Sequence, residues 1–503
     1  MKYILAIDKG TSVVKCILYT QDGEERAIAL RDSKTYQPQL GWHEEDLTEA
    51  WELISELIRE ILATSNITSK EIAGIGITSH MGGLILLDEN GKPLYPNILW
   101  DDSRASNIIS QWIEQGIYKE IVQEGGQALL AGLTIPLIKW FEVHKPDILN
   151  MAKYLCNTKD FLVYRLTGNL GTDESDGGWM PFDVRKRNYS TKIWQLAGIE
   201  QYSHLFPPIR KSIQIAGELQ PAPAKEIGLT PGIPVITGIG DANASTIGVG
   251  VIKPGQAVSI IGTSLLNNII TPSVTVEPEG LGFNIPTIDN YWMRMLPNTG
   301  GGSINIKWLV EVLYASEKDP YTAVDIDVNS SPLGSKGVFY HPYISNAGVV
   351  APFYNLGARA QFLGLHVEAK RKDLARATFE GLAYSMRDCY ESCPIILDEI
   401  RLSGGAARSH TLCQIVADVL GKIVLLPMGE EAAARGVAIL VSRALGFYRT
   451  TQEAVSQFVK TSKTFEPNLQ NHSIYSELFH LFKKSRLALE EFWNERHKRY
   501  SSY

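Results

Sequence analysis

The chain has 503 residues, too many for one hydrophobic core, so two or three domains are expected. Apolar residues make up 44% and charged residues 20%, an ordinary balance for a soluble globular protein, and the formal net charge of -7 argues against a dedicated nucleic-acid or membrane-surface binder. No apolar run of about 18 residues and no basic-then-apolar leader is present, so the chain reads as cytoplasmic, with neither a nucleic-acid nor a membrane partner. The cysteines (Cys16, Cys156, Cys389, Cys393, Cys413) are scattered and odd in number. Cys389 and Cys393 stand four apart without the histidines a zinc site needs, so all five read as buried reduced thiols.

Residues 3–30 predict a strand, a turn and a second strand. An apolar run ends in Asp8, Lys9-Gly10-Thr11-Ser12 turns the chain, and residues 13–19 form the return strand before Gln21-Asp22-Gly23. A tight hairpin of Gly, Thr and Ser exposes N–H groups and hydroxyls that can hold a phosphate. The carboxylate of Asp8 just before it can hold Mg²⁺ through water, and Lys15 adds positive charge. An ordinary hairpin turn is the competing reading. Residues 46–62 predict a helix capped by Asp46, with Trp51, Ile54, Leu57, Ile58 and Ile61 on one face. A short strand, 72–77, then breaks into Thr78-Ser79-His80-Met81-Gly82-Gly83, where His80 is either a core histidine or a ligand contact. At 97–104 a strand ends in Trp100-Asp101-Asp102-Ser103-Arg104, which can seat a polyhydroxylated ligand or cap the helix beginning near Ala105. Asn157-Thr158-Lys159-Asp160 precedes a helical stretch, 171–176 is a polar loop, and the proline-rich 217–234 reads as a connector of short strands and turns.

The stretch 234–264 carries the densest signal. An apolar run breaks at Gly238-Ile239-Gly240 and delivers one carboxylate, Asp241, which either caps a helix from Ala242 or deprotonates a hydroxyl. A second apolar run, 257–261, ends in Gly262-Thr263-Ser264, repeating Gly10-Thr11-Ser12 about half a chain later. Such a repeat predicts two similar domains, each giving a phosphate-gripping hairpin to a shared cleft. Pro297-Asn298-Thr299-Gly300-Gly301-Gly302 precedes a helix and implies close backbone approach or a hinge. A strand at 399–402 feeds Ser403-Gly404-Gly405-Ala406-Ala407-Arg408-Ser409, a turn against which a nucleotide can lie. Glu430-Glu431-Ala432-Ala433-Ala434-Arg435-Gly436 opens a closely packing helix, and 475–500 reads as a solvated terminal helix.

Taken together, IDKGTSVVK, GIGDA, IIGTS and LSGGAARSHTLCQIVADVLGK with EEAAARGVAIL resemble the FGGY carbohydrate kinases, in order, from about residue 3 to about residue 450. The resemblance implies an α/β protein of two actin/hexokinase-like (ribonuclease H-like) domains, 1–249 and 250–503, with ATP and sugar in the cleft between them. It makes Asp241 the catalytic base toward the sugar hydroxyl, and Asp8 with Asp241 the Mg²⁺ site. Gly10, Thr11, Ser12 and Lys15 fall in the first phosphate motif, Gly262, Thr263 and Ser264 in the second. Gly404, Gly405 and Ala406 match the adenosine turn, and Gly301 joins the nucleotide set. His80 and Met81 resemble the sugar-contacting pair of xylulose kinases in reversed order, and Trp100 with Asp101 their Trp-Asn-Asp segment. Dimers are common in that family, which makes a homodimer a candidate assembly, although the sequence itself shows no interface.

Three departures bear on the sugar. The Gly-Glu-Arg-x-Pro-Phe segment of the family is here Ala347-Gly348-Val349-Val350-Ala351-Pro352-Phe353, Ala242 replaces an asparagine beside the base, and the His-Met order differs. The sequence therefore predicts an ATP-dependent kinase of a small linear sugar, with a ketopentose such as xylulose first. L-xylulose, erythritol or another polyol, ribulose, gluconate and glycerol are the alternative substrates. A catalytically silent sugar or nucleotide sensor is the reading from another class, and intact Asp8, Asp241 and both Gly-Thr-Ser turns weigh against it. An actin- or chaperone-type ATPase is a third, opposed by the 402–440 segment.

Overall fold

The computed structural model describes residues 2–276, 281–346 and 348–500. The chain forms two compact units. One comprises Met1–Ile252, Asn284–Trp292 and Glu431–Lys460, the other Lys253–Phe283, Met293–Glu430 and Thr461–Tyr503.

Among the described residues, the main sheet of the first unit has six strands in the order Ile215–Glu218, Pro234–Ile236, Ile72–Ser79, Tyr3–Lys9, Val13–Thr20, Glu25–Asp32. Tyr3–Lys9 runs parallel to Ile72–Ser79 and antiparallel to Val13–Thr20. Both faces of this strand are covered, which is why its sequence is a continuous apolar run rather than an alternation. Tyr3, Leu5 and Ile7 join a core with Trp51, Ile54 and Ile58 of helix Leu47–Ser65. Ile4 and Ala6 point the other way, into a core with Ala434, Val437 and Ala438. Asp46 caps Leu47–Ser65 as expected, accepting from the Thr48 and Glu49 amides.

Helix Ala432–Ala444 crosses helix Asp241–Gly248 almost backbone to backbone. A Cβ at Gly248 would lie 1.8 Å from the Ala432 carbonyl oxygen, and one at Gly436 1.9 Å from that of Ala244. Only small residues permit this approach, which accounts for the Ala-Ala-Ala-Arg-Gly run. It also explains why Glu431–Lys460 packs with the first unit, whereas a single division at 249/250 assigns it to the second.

The second unit repeats the strand plan of the first. Gln256–Ile261 pairs antiparallel with Leu265–Thr271, placing Ile261 opposite Leu265, and parallel with Glu399–Ser403. The recurrence of Gly-Thr-Ser thus marks a recurrence of topology: a hairpin whose first strand has a parallel neighbour on its other side. Two readings differ from the structure. The proline-rich connector holds a helix, Pro221–Ile227, whose prolines occupy its first turn, where no amide donor is needed. Terminal helix Leu469–Tyr500 is packed rather than solvated, burying Tyr475, Phe479, Phe482 and Trp493. All the cysteines are buried and unpaired. Among the described residues, no helix is long and apolar enough to cross a membrane.

Candidate active site

The first hairpin brings Asp8 to the end of a central strand, directly opposite Lys15. Its carboxyl is pushed up to about 6, chiefly by burial, with the charge of Lys15 opposing and that of Glu431 reinforcing the rise. The turn closes through a 3.0 Å bond from the Gly10 amide to the Val13 carbonyl, and a Cβ at Gly10 would press to 2.9 Å on that same oxygen. Thr11 is half-buried and Ser12 exposed. Lys15 is not a free cation: its Nζ lies 2.5 Å from Glu431 Oε2, a partner 416 positions away that only the fold reveals. Lys9 is buried and turned from the turn's mouth, held by Glu45, Ser33 and the Gly10 carbonyl.

Asp241 arrives from a strand two places along the same sheet, with Ile72–Ser79 between. Pro234–Ile236 ends, and Gly238 then takes a left-handed φ of +79°, where a Cβ would sit 2.1 Å from the Ile77 carbonyl oxygen. Asp241 is the first residue of helix Asp241–Gly248 rather than its cap: Gly240 holds the cap position, no side chain caps the helix, and the Asp241 carboxylate accepts a 2.7 Å bond from the adjacent Ala242 amide. The carboxylate is therefore not used up by capping. Burial, aided by the charge of Asp8, pushes its pKa up to about 7.

The expected sugar contacts fall into two groups. Met81 lies against the loop before Asp241, since a Cβ on Gly240 would meet its sulfur at 2.1 Å. Trp100 is 43% exposed and its Nε1 donates to Thr11 Oγ1 at 3.4 Å, so an indole borders the first Gly-Thr-Ser turn. Asp101 is exposed and paired with His43 Nδ1 at 2.8 Å. His80 is buried among Thr158, Glu45 and Lys9, and burial drives its pKa down to about 3, so it is neutral. Its Nε2 lies 3.3 Å from Thr158 Oγ1, while Nδ1 has no hydrogen-bond partner among the described residues. His80 therefore belongs to the core, with one nitrogen unspent.

In the second unit, Thr263 and Ser264 are exposed at the hairpin tip. The Gly262 carbonyl accepts from the Ser303 amide at 2.7 Å, and a Cβ at Gly302 would lie 2.2 Å from the Thr263 carbonyl oxygen. Glycine at 302 thus lets one turn lie on the other. Gly301 donates its amide to the Asn298 carbonyl at 3.2 Å. Gly404 leaves its strand at φ +90° beneath the Ile261 carbonyl, and Gly405 faces open space before Ala406. Of the altered Gly-Glu-Arg segment, Ala347 lies outside the described residues. Val349, where the family pattern has glutamate, is fully buried, and Val350, where it has arginine, is half-buried.

The chemistry of the donor set can be tested against Mg²⁺. Among the described residues no three metal-ligating side chains converge to enclose an ion. Two half-buried, electrostatically coupled carboxylates, Asp8 and Asp241, are nevertheless present in one unit. Magnesium is characteristically held by one or two carboxylates with several waters and substrate phosphates, so the residues fit it. Glu431 and the buried residues Lys159, Asp173 and Ser175 were not picked out from sequence as site residues. Lys159-Asp160 and 171–176 did stand out there as polar segments, but nothing local tied them to residue 240.

The model of the N-terminal domain of the FGGY family of carbohydrate kinases matches residues 3–248, and that of the C-terminal domain residues 257–445. This chain belongs to the FGGY family of carbohydrate kinases and is an enzyme of that class. It is 31% identical over 489 residues to the xylulose kinase of Staphylococcus epidermidis, covering 95% of each chain. It is 28% identical to the L-xylulose/3-keto-L-gulonate kinase of Escherichia coli, covering 98% of each. The solved ligand-bound xylulose kinase of Lactobacillus acidophilus has the same fold, with a TM-score of 0.91, 24% identity and coverage of 98% of this chain and 100% of that one.

Proposed function

We propose that this kinase transfers the γ-phosphoryl group of ATP to a hydroxyl of a small linear sugar, a ketopentose such as xylulose, with Asp241 as general base. One observation carries the reading: Asp241 is fixed at a helix start in the field of Asp8, with its pKa raised to about 7. A base works best when its pKa is near the operating pH. The sugar hydroxyl gives its proton to the Asp241 carboxylate. Its oxygen bonds to the γ-phosphorus as the bond from that phosphorus to the bridging oxygen of ADP breaks, and ADP leaves with the electron pair.

Asp8 and Asp241 would hold Mg²⁺ through water, and the ion, when bound, neutralises phosphate charge. Gly10, Thr11 and Ser12 in the first unit, with Gly262, Thr263, Ser264 and Gly301 in the second, are proposed to hold the phosphates, and Gly404, Gly405 and Ala406 the adenosine. Lys15 would reach a phosphate from its Glu431 pair. Met81, Trp100, Asp101 and the open nitrogen of His80 are proposed to contact the sugar. Xylulose is favoured because relatives of that name match nearly the full chain. Cytoplasmic location and a homodimer belong to the same proposal, the first supported by the unpaired buried thiols.

The test is a comparison of kcat/KM with Mg-ATP across D-xylulose, L-xylulose, ribulose, erythritol, gluconate and glycerol. D-xylulose is expected to exceed each alternative by at least about tenfold, a margin that a few polar contacts supply. A higher value for another acceptor would replace xylulose as the substrate.

A further inference from the structure

A fully buried charge cluster lies beneath the loop that carries Asp241. Lys159 Nζ is 2.6 Å from Asp160, 3.3 Å from Asp173 and 3.2 Å from Asp176, and all four side chains are completely shielded from solvent. One cation among three carboxylates is a costly arrangement in a protein interior, and structural packing alone would be met more cheaply by apolar residues. The loop 237–240 is held residue by residue, by Lys159 of the cluster and by side chains and backbone that adjoin it. Lys159 donates to the Thr237 carbonyl at 3.3 Å. The Gly238 amide donates to the Ser212 carbonyl at 3.0 Å. Thr78 Oγ1 donates to the Ile239 carbonyl at 2.7 Å. Finally, Ser175 Oγ accepts from the Gly240 amide at 2.9 Å.

Ser175 is itself fixed by Asp173, which accepts from both its hydroxyl and its amide at 3.0 Å. Oδ2 of Asp173, which takes the Ser175 amide, also accepts from the Ser212 hydroxyl at 2.8 Å. From this geometry we infer that Ser175, locked by Asp173 and Lys159, is a positioning residue for the phosphoryl-transfer step, fixing the Gly240 peptide and through it the carboxylate of Asp241. The inference rests on the reading of Asp241 as base. Ser175 touches the loop, not the reacting atoms, so its loss should act on kcat and leave substrate binding alone.

The experiment compares Ser175→Ala and Ser175→Thr in the full chain, reading kcat, KM for the sugar, KM for ATP and the unfolding temperature. Ser175→Ala should lower kcat about tenfold or more with both KM values within about twofold, because small displacements of a reacting group are costly in rate. Ser175→Thr keeps a hydroxyl and should restore most of kcat. A kcat within twofold of the parent in Ser175→Ala, a loss confined to KM, or a threonine variant no better than alanine would each overturn the inference. If Ser175→Ala does not fold, Ser212→Ala removes another donor from the same Asp173 carboxylate. It should lower kcat measurably at unchanged KM, and an unchanged kcat would overturn the inference. Asp241→Ala, run alongside, separates the two ideas. Turnover surviving in that variant refutes the base itself, whereas an inactive Asp241→Ala beside a fully active Ser175→Ala refutes only the positioning role.

Discussion

Asp241→Ala is expected to lower kcat by about 10³-fold while leaving ATP affinity within about threefold, the loss being that of general base assistance. The carboxylate has the features the role demands: it is fixed by the Ala242 amide, and burial with the charge of Asp8 raises its pKa to about 7. The alanine variant removes proton acceptance and one of the two carboxylates proposed to hold Mg²⁺, but leaves Asp8 and the turns proposed to hold the phosphates and adenosine in place. It also removes one of the two buried like charges, so folding should not suffer. Steady-state kinetics with titration of ATP by calorimetry checks both halves. Turnover within tenfold of the parent would remove Asp241 from the base role, and lost ATP binding would assign it to nucleotide binding instead.

Lys159→Met should destabilise the first unit by about 3–5 kcal/mol, the usual consequence of leaving buried charge without its partner. Asp160, Asp173 and Asp176 would then face one another with no cation. Asp160 and Asp176 already have their pKa values raised, mainly by burial and despite the lysine. Neutralising one of them in Lys159→Met/Asp176→Asn should recover part of the loss, since two carboxylates repel less than three. Urea denaturation of the three proteins measures this. A single variant within about 1 kcal/mol of the parent would mean that the cluster protonates freely and that Lys159 does not hold it together.

Much of this was legible in the chain because short-range signals sufficed. The Gly-Thr-Ser turns flanked by apolar runs fixed both hairpins, and their repetition foretold the repeated topology. Asp46 as a helix cap and the small-residue run at 432–436 were equally local. What escaped were pairings between distant positions that have no sequence signature. Lys15 with Glu431 spans 416 positions, and Ser175 with Gly240 spans 65. His80 could not be resolved into core or ligand because it is both buried and left with an open nitrogen. The terminal helix looked solvated because its apolar residues are spread thinly along a basic stretch, yet four aromatic side chains suffice to pack one side of it while the rest stays in solvent.

The most direct measurement is product analysis of a reaction containing enzyme, Mg-ATP and D-xylulose, by mass spectrometry with quantitation of ADP. Sugar transfer predicts ADP and a pentulose heavier by one phosphoryl group in equal amounts, with negligible free phosphate. ADP appearing with free phosphate and an unchanged sugar, at a rate indifferent to the acceptor, would contradict it.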